Sequence, residues 1–223
     1  YRKFYSGVVI PFIKKYKIKH VLCLGDTFDR RKSVNFNSLE AAKEMWFKPL
    51  EDMGVKMTML VGNHDIYYKN TLRVNAPSLL LGEYANISII DGPTEFSVGD
   101  ITVFGVPWIC DENRERTYER LKTTTAQICM GHLELSGFPM HKGHVSTEGD
   151  DPSLFDRFDM VFSGHFHTRS RSGNVFYLGA HSEFTWSDYN DPRGFSVFDT
   201  STREIEFIEN PYKIHKKIWY KAN

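Results

Sequence analysis

Apolar residues recur every four positions at the start of the chain, at Phe4, Val8, Phe12 and Tyr16. This spacing places them on one face of a helix and predicts a helix over residues 1–17. Proline lacks a backbone N–H and its ring clashes with the preceding turn, so Pro11 is expected to disturb this helix near its middle. A second helical pattern covers residues 39–53, where Ser38 would begin the helix and Gly54 would cap its end.

Short apolar runs elsewhere in the chain are typical of buried strands. Two of them, at residues 20–25 and 57–62, enclose the second helix, and this alternation favours a parallel sheet with crossover helices. A polar helix is predicted over residues 114–122. Further strands are predicted at residues 87–90, 95–98, 101–106, 127–130, 160–162, 175–178, 195–198 and 203–208. The pattern predicts a two-layered β core flanked by helices.

Composition narrows the class of protein. The 223 residues carry 28 Lys+Arg against 28 Asp+Glu and are 41% apolar, which is typical of an ordinary soluble globular domain. This balance excludes a disordered charged tail and a free-standing polybasic nucleic-acid binder. No apolar run approaches the ~20 residues of a membrane span, so we expect no membrane partner. The three cysteines have no C-x-x-C spacing and an odd count, which favours free thiols in a reducing compartment such as the cytoplasm. The first residue is Tyr1, and the chain is therefore expected to be part of a longer protein.

Polar residues recur where the predicted strands end, which is where open α/β sheets bind ligands. The four clusters are GDTFDR at 25–30, GNHD at 62–65, GH at 131–132 and GHFH at 164–167. Each begins with a glycine that lets the backbone turn off the strand. A set of Asp, Asn and His ligands suits manganese, iron or zinc better than calcium. A carboxylate such as Asp26 can bridge two cations about 3.5–4 Å apart, as in two-metal phosphoryl chemistry.

The ordered motifs GDTFDRR, GNHD, GHLEL and SGHFH resemble motifs two to five of the calcineurin-like metallophosphoesterases. Within that superfamily the chain is most similar to the SbcD-type DNA-repair nucleases, a group that includes the recombination endonuclease subunits of T-even-like bacteriophages. The resemblance covers about residues 20–210. It implies an α/β fold (α+β in some schemes), a four-layer α/β/β/α sandwich of two mixed β-sheets flanked by helices, with its first strand missing.

The resemblance also implies roles for individual residues. Asp26 would be the bridging carboxylate, and His167 would belong to the first metal site. The second metal site would be completed by Asn63, His132 and His165. His64 would stabilise or protonate the leaving oxygen and would be oriented by Asp29, because a nearby acid benefits from a carboxylate that holds its proton. Two divalent metal ions are expected, with manganese favoured and magnesium as the alternative.

The chain departs from the family pattern at its beginning. The first motif, D-x-H, does not occur before Asp26. Those two residues would be ligands of the first metal, so we expect that site to be incomplete, and the activity of the chain as it stands is in question. By resemblance, residues 1–210 would form the nuclease domain without its N-terminal strand. Residues 211–223 would form the start of a truncated DNA-capping domain.

Several further residues have two interpretations. Arg30 and Arg31 could bind phosphate or belong to a solvated basic turn. His181 could line the site or pack in the core. The spacing of His141 and His144 would suit a metal, but their Gly-rich polar surroundings favour a surface loop.

The resemblance implies a metal-dependent DNA nuclease, an exo/endonuclease subunit of a recombination and double-strand-break repair complex. Its expected partners are DNA, an SMC-like ATPase subunit and a second copy of the chain bound through the N-terminal helices. If phage-encoded, it would act in the host cytoplasm. The alternatives are another metallophosphoesterase, such as a protein phosphatase or nucleotide phosphodiesterase, and a non-catalytic scaffold with the same fold.

Overall fold

The structure, a computed structural model, describes residues 1–220. Its first helix, α1, is continuous over residues 2–16 and consists of Arg2–Phe4, a π-helical turn at Tyr5–Val9 and Ile10–Tyr16. The helix runs through Pro11 and does not break there. The expected disturbance takes the form of the π-helical turn that ends two residues before the proline, since a widened turn accommodates the missing N–H and the bulky ring.

The second helix, α2, covers residues 36–52 and consists of Phe36–Ala42, a π-helical turn at Lys43–Phe47 and Lys48–Asp52. It begins earlier than the sequence predicted, because Asn35 and not Ser38 is the cap. The Asn35 Oδ1 atom accepts a hydrogen bond from the Ser38 N–H at 3.2 Å. Gly54 ends the helix as predicted, with a φ of 63° and its N–H donated to Glu51 O at 2.9 Å.

Two more α-helices follow, α3 (Ala76–Leu80) and α4 (Arg114–Thr123). The strands are β1 (His20–Cys23), β2 (Lys56–Leu60), β3 (Ile87–Ile90), β4 (Thr94–Val98), β5 (Ile101–Val106), β6 (Ile128–Gly131), β7 (Pro139–His141), β8 (His144–Val145), β9 (Met160–Ser163), β10 (Ser170–Ser172), β11 (Val175–Tyr177), β12 (Gly194–Phe198) and β13 (Ile205–Glu209). All the predicted strands form, with small shifts at their ends. The sequence did not predict α3, β7, β8 and β10, which are too short to show a hydrophobic period.

The strands form two main sheets and two hairpins. One sheet has three parallel strands in the order β1-β2-β3. The other is mixed, with six strands in the order β10-β11-β9-β6-β5-β4. Strands β12 and β13 pair as an antiparallel hairpin, and β7 pairs with β8.

Helices cover the outer faces of both sheets, so the four-layer α/β/β/α arrangement is confirmed. One apolar core joins α1 and α2 to the three-stranded sheet, through residues such as Phe4, Leu50 and Met59. A second core lies between the sheets and includes Met130 and Phe162. The third core lies between the six-stranded sheet and α4 and includes Phe104, Leu121 and Phe155.

An apolar cavity of about 270 Å³ separates the edge of β1 from the edge of β12. Leu22 and Leu24 line it from one side, and Val197 and Phe198 line it from the other. The facing edges of these two strands pair with no other strand among residues 1–220.

Residues 211–220 carry neither helix nor strand. The capping domain expected to begin at residue 211 would include residues 221–223, which lie outside the described part of the chain. Within residues 1–220, no helix combines the length and the apolar character that crossing a bilayer requires.

The Phe104 side chain on β5 is fully buried, so its removal tests the assignment of the core beneath the six-stranded sheet. We expect Phe104→Ala to lower the free energy of unfolding by about 3–5 kcal/mol, since a large cavity is left in packed surroundings. Leu79→Ala is the control, because Leu79 is 72% exposed. Denaturant titration should show a change of about 0.5 kcal/mol or less for the control. Equal effects of the two substitutions would contradict the assigned core.

Candidate metal centre

The turns that follow four strands meet at one place. β1 and β2 are parallel neighbours in the three-stranded sheet, so the turns that carry Asp26 and Asn63 leave the same edge. β6 and β9 are parallel neighbours in the six-stranded sheet and deliver His132 and His165 in the same way. Because the two sheets face each other, all four turns converge, as open α/β sheets favour.

Asp26 enters the centre on a turn with unusual backbone angles. Its φ is 54° and that of Gly25 is 96°, so the chain reverses sharply after β1. The carboxylate Oδ1 accepts a hydrogen bond from the His64 N–H at 2.7 Å. Its Oδ2 lies 3.2 Å from His132 Nε2. The carboxylate is therefore held between two of the other turns.

His132 is fully buried and has a defined tautomer. Its Nδ1 donates a hydrogen bond to the Leu24 carbonyl at 2.6 Å. This leaves Nε2 directed into the centre, where it lies 3.0 Å from Asn63 Oδ1. A hydrogen bond from one ring nitrogen to a backbone carbonyl is the usual way in which proteins orient a metal-binding histidine.

His165 contains an orphaned buried nitrogen. Its Nδ1 lies 3.1 Å from Asn63 Oδ1, while its Nε2 is buried without a hydrogen-bond partner among residues 1–220. One ligand atom from each of Asp26, His132 and His165 lies within 4.8 Å of the others. Buried polar atoms are normally satisfied, and a carboxylate with two imidazoles is a donor set for a divalent cation. The residues present therefore fit a metal ion.

The pKa values of these side chains are consistent with a donor set for a divalent cation. Burial opposes the charge on Asp26, but the His132 imidazole and the His64 N–H outweigh it and lower the Asp26 pKa to about 2. Burial, reinforced by the nearby His132, lowers the pKa of His165 to about 3. His165 is thus neutral, with a lone pair available. Burial also disfavours the charge on His132, yet the adjacent Asp26 raises its pKa, so a bound cation would compete with a proton there.

Two glycines allow this close approach. A Cβ atom on Gly62 would overlap the Asp26 backbone nitrogen and carboxylate, and one on Gly25 would overlap the His132 ring. Side chains at these two positions would force the turns apart.

The contact between His64 and Asp29 differs from the sequence expectation. His64 Nδ1 donates to the backbone carbonyl of Asp29 at 2.7 Å. The Asp29 carboxylate is 92% exposed and lies 3.8 Å from Arg30 Nε. The expected carboxylate contact is corrected to a main-chain one, because the turn after Asp26 directs the peptide carbonyl inward and the side chain toward solvent.

The remaining predicted residues lie around the centre. His167 is not among the three grouped ligand residues, and its ring centroid is 5.4 Å from that of Phe184. His181 packs among aromatic rings, including a stacked contact with Phe4 at 6.3 Å, which favours its packing interpretation. Arg30 is exposed, whereas Arg31 is half-buried, with a buried Nη1 that finds no hydrogen-bond partner in the described part of the chain.

His141 and His144 are exposed, as expected of a surface segment. They lie on the β7–β8 hairpin and not in an irregular loop, with ring centroids 5.2 Å apart.

Sequence reasoning assigned no role to two residues of this region, Asp65 and Glu134. Asp65 is fully buried and accepts hydrogen bonds from the Gly62 and Phe28 N–H groups at 2.9 and 3.2 Å. Its place as the last residue of GNHD was the available signal. The Glu134 carboxylate lies 3.8 Å from His165 Nε2. The Trp108 ring centroid lies 5.1 Å from that of His165, and only the tertiary structure shows this.

Comparison with known proteins decides the family. The model of the calcineurin-like phosphoesterase family matches residues 6–169, which is more than half of the chain. The chain belongs to the calcineurin-like phosphoesterase family. Membership implies divalent metal ions, and the donor set described above fits that implication. The four converging turns are thus the candidate metal centre of a calcineurin-like phosphoesterase domain.

Two relatives and one solved structure are similar to this phosphoesterase domain over most of its length. It is 40% identical over 211 residues to exonuclease subunit 1 of Enterobacteria phage T4, covering 95% of this chain and 62% of the relative. It is 29% identical over 171 residues to the DNA double-strand break repair protein Mre11 of Sulfurisphaera tokodaii, covering 74% of this chain and 42% of the relative. The chain thus spans less than two thirds of either relative.

One crystal structure superposes with a TM-score of 0.53 at 11% identity and covers 90% of this chain and 91% of its own. At that identity the likeness concerns the fold alone.

Gly62→Ala tests the close approach of the turns. We expect the substitution to weaken Mn²⁺ binding at least tenfold, because the added methyl group displaces Asp26 and the His132 ring. Isothermal titration calorimetry measures the affinity, and circular dichroism checks that the variant is folded. Gly92→Ala is the control, since a Cβ atom there has open space. Unchanged Mn²⁺ binding by a folded Gly62→Ala variant would contradict the packing described.

Proposed function

We propose that this chain is the catalytic part of a metal-dependent DNA nuclease, a subunit of a recombination and double-strand-break repair complex. The observation that carries the proposal is the convergence of Asp26, Asn63, His132 and His165, with His64 exposed beside them. The names of the two relatives, an exonuclease subunit and a double-strand break repair protein, support DNA as the substrate.

Each residue of the centre has a proposed task. A divalent cation held by Asp26, Asn63, His132 and His165, with manganese favoured over magnesium, would polarise a phosphoryl oxygen and an attacking water. The bond to the Asp29 carbonyl fixes the His64 ring, so its Nε2 is free to stabilise or protonate the leaving sugar oxygen.

The basic residues near His64 would assist this reaction. Arg30 and Arg31 directly follow Asp29 and would attract a phosphate of the DNA backbone. His181 is left out of the proposed chemistry, because its surroundings are aromatic.

The first metal site would require further ligands. Asp26 and His167 are proposed for it, and the D-x-H motif that the family carries is absent from residues 1–223. The cavity between β1 and β12 is apolar and bounded by two strand edges with free backbone groups. We propose that an additional strand of the same protein fills this cavity and brings a D-x-H motif to the centre.

We also propose a domain division for this chain and its assembly with partner chains. Residues 1–210 would be the nuclease domain and residues 211–223 the start of a DNA-capping domain. The word "subunit" in the name of the phage relative supports assembly with other chains. An SMC-like ATPase is the proposed partner, and a homodimer through α1 and α2 would cover Phe36, which is 87% exposed. The protein would act in the cytoplasm of the host cell.

Cleavage assays with Mn²⁺ test the proposed substrate. We expect hydrolysis of single- or double-stranded DNA, in a form of the protein extended by a strand that ends in D-x-H. His64→Ala should reduce the rate about 10²–10⁴-fold, because general acid assistance is lost, while Mn²⁺ binding is retained. Asp26→Ala should abolish both DNA cleavage and Mn²⁺ binding. The control is His144→Ala, on the exposed β7–β8 hairpin.

The same assay separates the alternatives. Hydrolysis of p-nitrophenyl phosphate esters without DNA cleavage would indicate a phosphatase or a nucleotide phosphodiesterase. If the extended protein hydrolyses neither DNA nor the esters, the non-catalytic scaffold is the better description.

Metal stoichiometry tests the two-site proposal. We expect one tight Mn²⁺ site in the 223-residue chain, because the first site holds only Asp26 and His167 of its ligands. The extended protein should bind two ions. Calorimetry or metal analysis after gel filtration gives the number per chain, and Asn63→Ala should weaken the site present in both forms. Two tight sites in the 223-residue chain would overturn the proposal.

A further inference from the structure

Two exposed tyrosines follow the metal-binding turn that ends at Asp65. Tyr67 is 40% exposed and Tyr68 is 51% exposed, although both are large aromatic residues. Their ring centroids are 4.8 Å apart with an interplanar angle of 71°. Exposed aromatic rings offer faces on which the bases of a nucleic acid can stack. We call this pair the tyrosine rim.

The backbone that carries the tyrosine rim is firmly anchored. The residue before it, Ile66, is fully buried and forms a β-bridge with Asn75. The Tyr67 N–H donates to Val74 O at 2.9 Å, which closes the base of the loop. Farther along, the Leu72 N–H donates to the Glu112 carboxylate at 2.9 Å. The two rings are thus presented from a fixed loop, which lowers the entropic cost of binding a ligand against them.

The loop that carries the tyrosine rim is basic, although the chain as a whole is neutral. The Lys32 Nζ atom lies 5.3 Å from the Tyr67 ring centroid. Exposed Lys69 and Arg73 belong to the same loop, and residues 66–75 contain no Asp or Glu. Two exposed acidic residues lie against the far part of the loop: Glu112, whose carboxylate accepts the Leu72 N–H, and its neighbour Asp111. Basic side chains interleaved with aromatic ones are typical of surfaces that bind single-stranded nucleic acids.

We infer that the tyrosine rim binds an unstacked nucleobase of a single DNA strand beside the candidate metal centre. This inference rests on the proposed nuclease function and specifies the form of its substrate. A base can lie against a tyrosine ring only after it has left the duplex stack, so the site selects single strands or frayed ends. Lys32 and Lys69 would hold the neighbouring phosphates, whatever the sequence of the bases.

Stacking and charge can be separated with two oligonucleotides of equal length, one an oligothymidylate and one with abasic sugars throughout. Binding is measured by fluorescence anisotropy in EDTA, so that no bond is cleaved. The double variant Tyr67→Ala/Tyr68→Ala should bind the oligothymidylate about tenfold more weakly and the abasic strand unchanged, because only the former offers bases to stack. Tyr67→Phe/Tyr68→Phe, which keeps the rings, should restore tight binding.

Two further variants serve as comparisons. Lys69→Ala should weaken binding of both oligonucleotides alike and reduce its salt dependence, because it removes a phosphate contact. Tyr16→Ala removes a tyrosine of similar exposure, 55%, from the end of α1 and should change neither affinity.

The outcomes distinguish this inference from the proposed function. Equal affinities of the double alanine variant and the unaltered protein for the oligothymidylate would overturn it, and so would an equal loss for both strands. If the base-dependent loss is observed but the extended protein cleaves no DNA with Mn²⁺, the nuclease proposal fails and the stacking site is supported.

Discussion

The metal centre depends on the close approach of two turns, one after β1 and one after β2. Gly25 and Gly62 lack the side chains that would separate these turns. The buried Asp65 carboxylate then joins them, since it accepts N–H groups from Phe28 on one turn and Gly62 on the other. Burial raises the Asp65 pKa to about 6, and the two hydrogen bonds partly offset the cost of a charge in the interior. This clasp holds Asp26 and Asn63 side by side.

The other half of the centre comes from the opposite sheet, so the packing of the two sheets sets its geometry. His132 and His165 follow strands of the six-stranded sheet, whereas Asp26 follows a strand of the three-stranded one. Leu24 contributes to the apolar core between the sheets, and its carbonyl accepts the hydrogen bond that orients His132. Core packing and ligand orientation are therefore coupled, because a shift between the sheets would move the histidines relative to the carboxylate.

The zero net charge of the chain conceals an uneven distribution. A free-standing polybasic binder was excluded by composition, yet the surface beside the centre combines Lys32, Lys69 and Arg73 with exposed tyrosines. Cations bound at Asp26 would add further positive charge at the place where a phosphate would lie. Affinity for a polyanion therefore depends on where the charges lie rather than on their sum.

The sequence by itself determined the strands, the main helices and the four polar turns. Apolar runs such as residues 87–90 and 101–106 show their period locally, and the glycine before each polar cluster marks the turn. It did not reveal that the Asp29 contact is made by a backbone carbonyl. This depends on the direction of the peptide after a left-handed residue, Asp26.

Only the tertiary structure decided which side chains meet. It placed His181 among aromatic rings and brought Trp108 beside His165. It also left an apolar cavity between β1 and β12. The physical reason is the distance along the chain over which each kind of interaction acts. Hydrophobic period and turn chemistry act over a few residues, whereas the distance between residues 26, 132 and 165 follows from the packing of two sheets whose strands lie far apart in the chain.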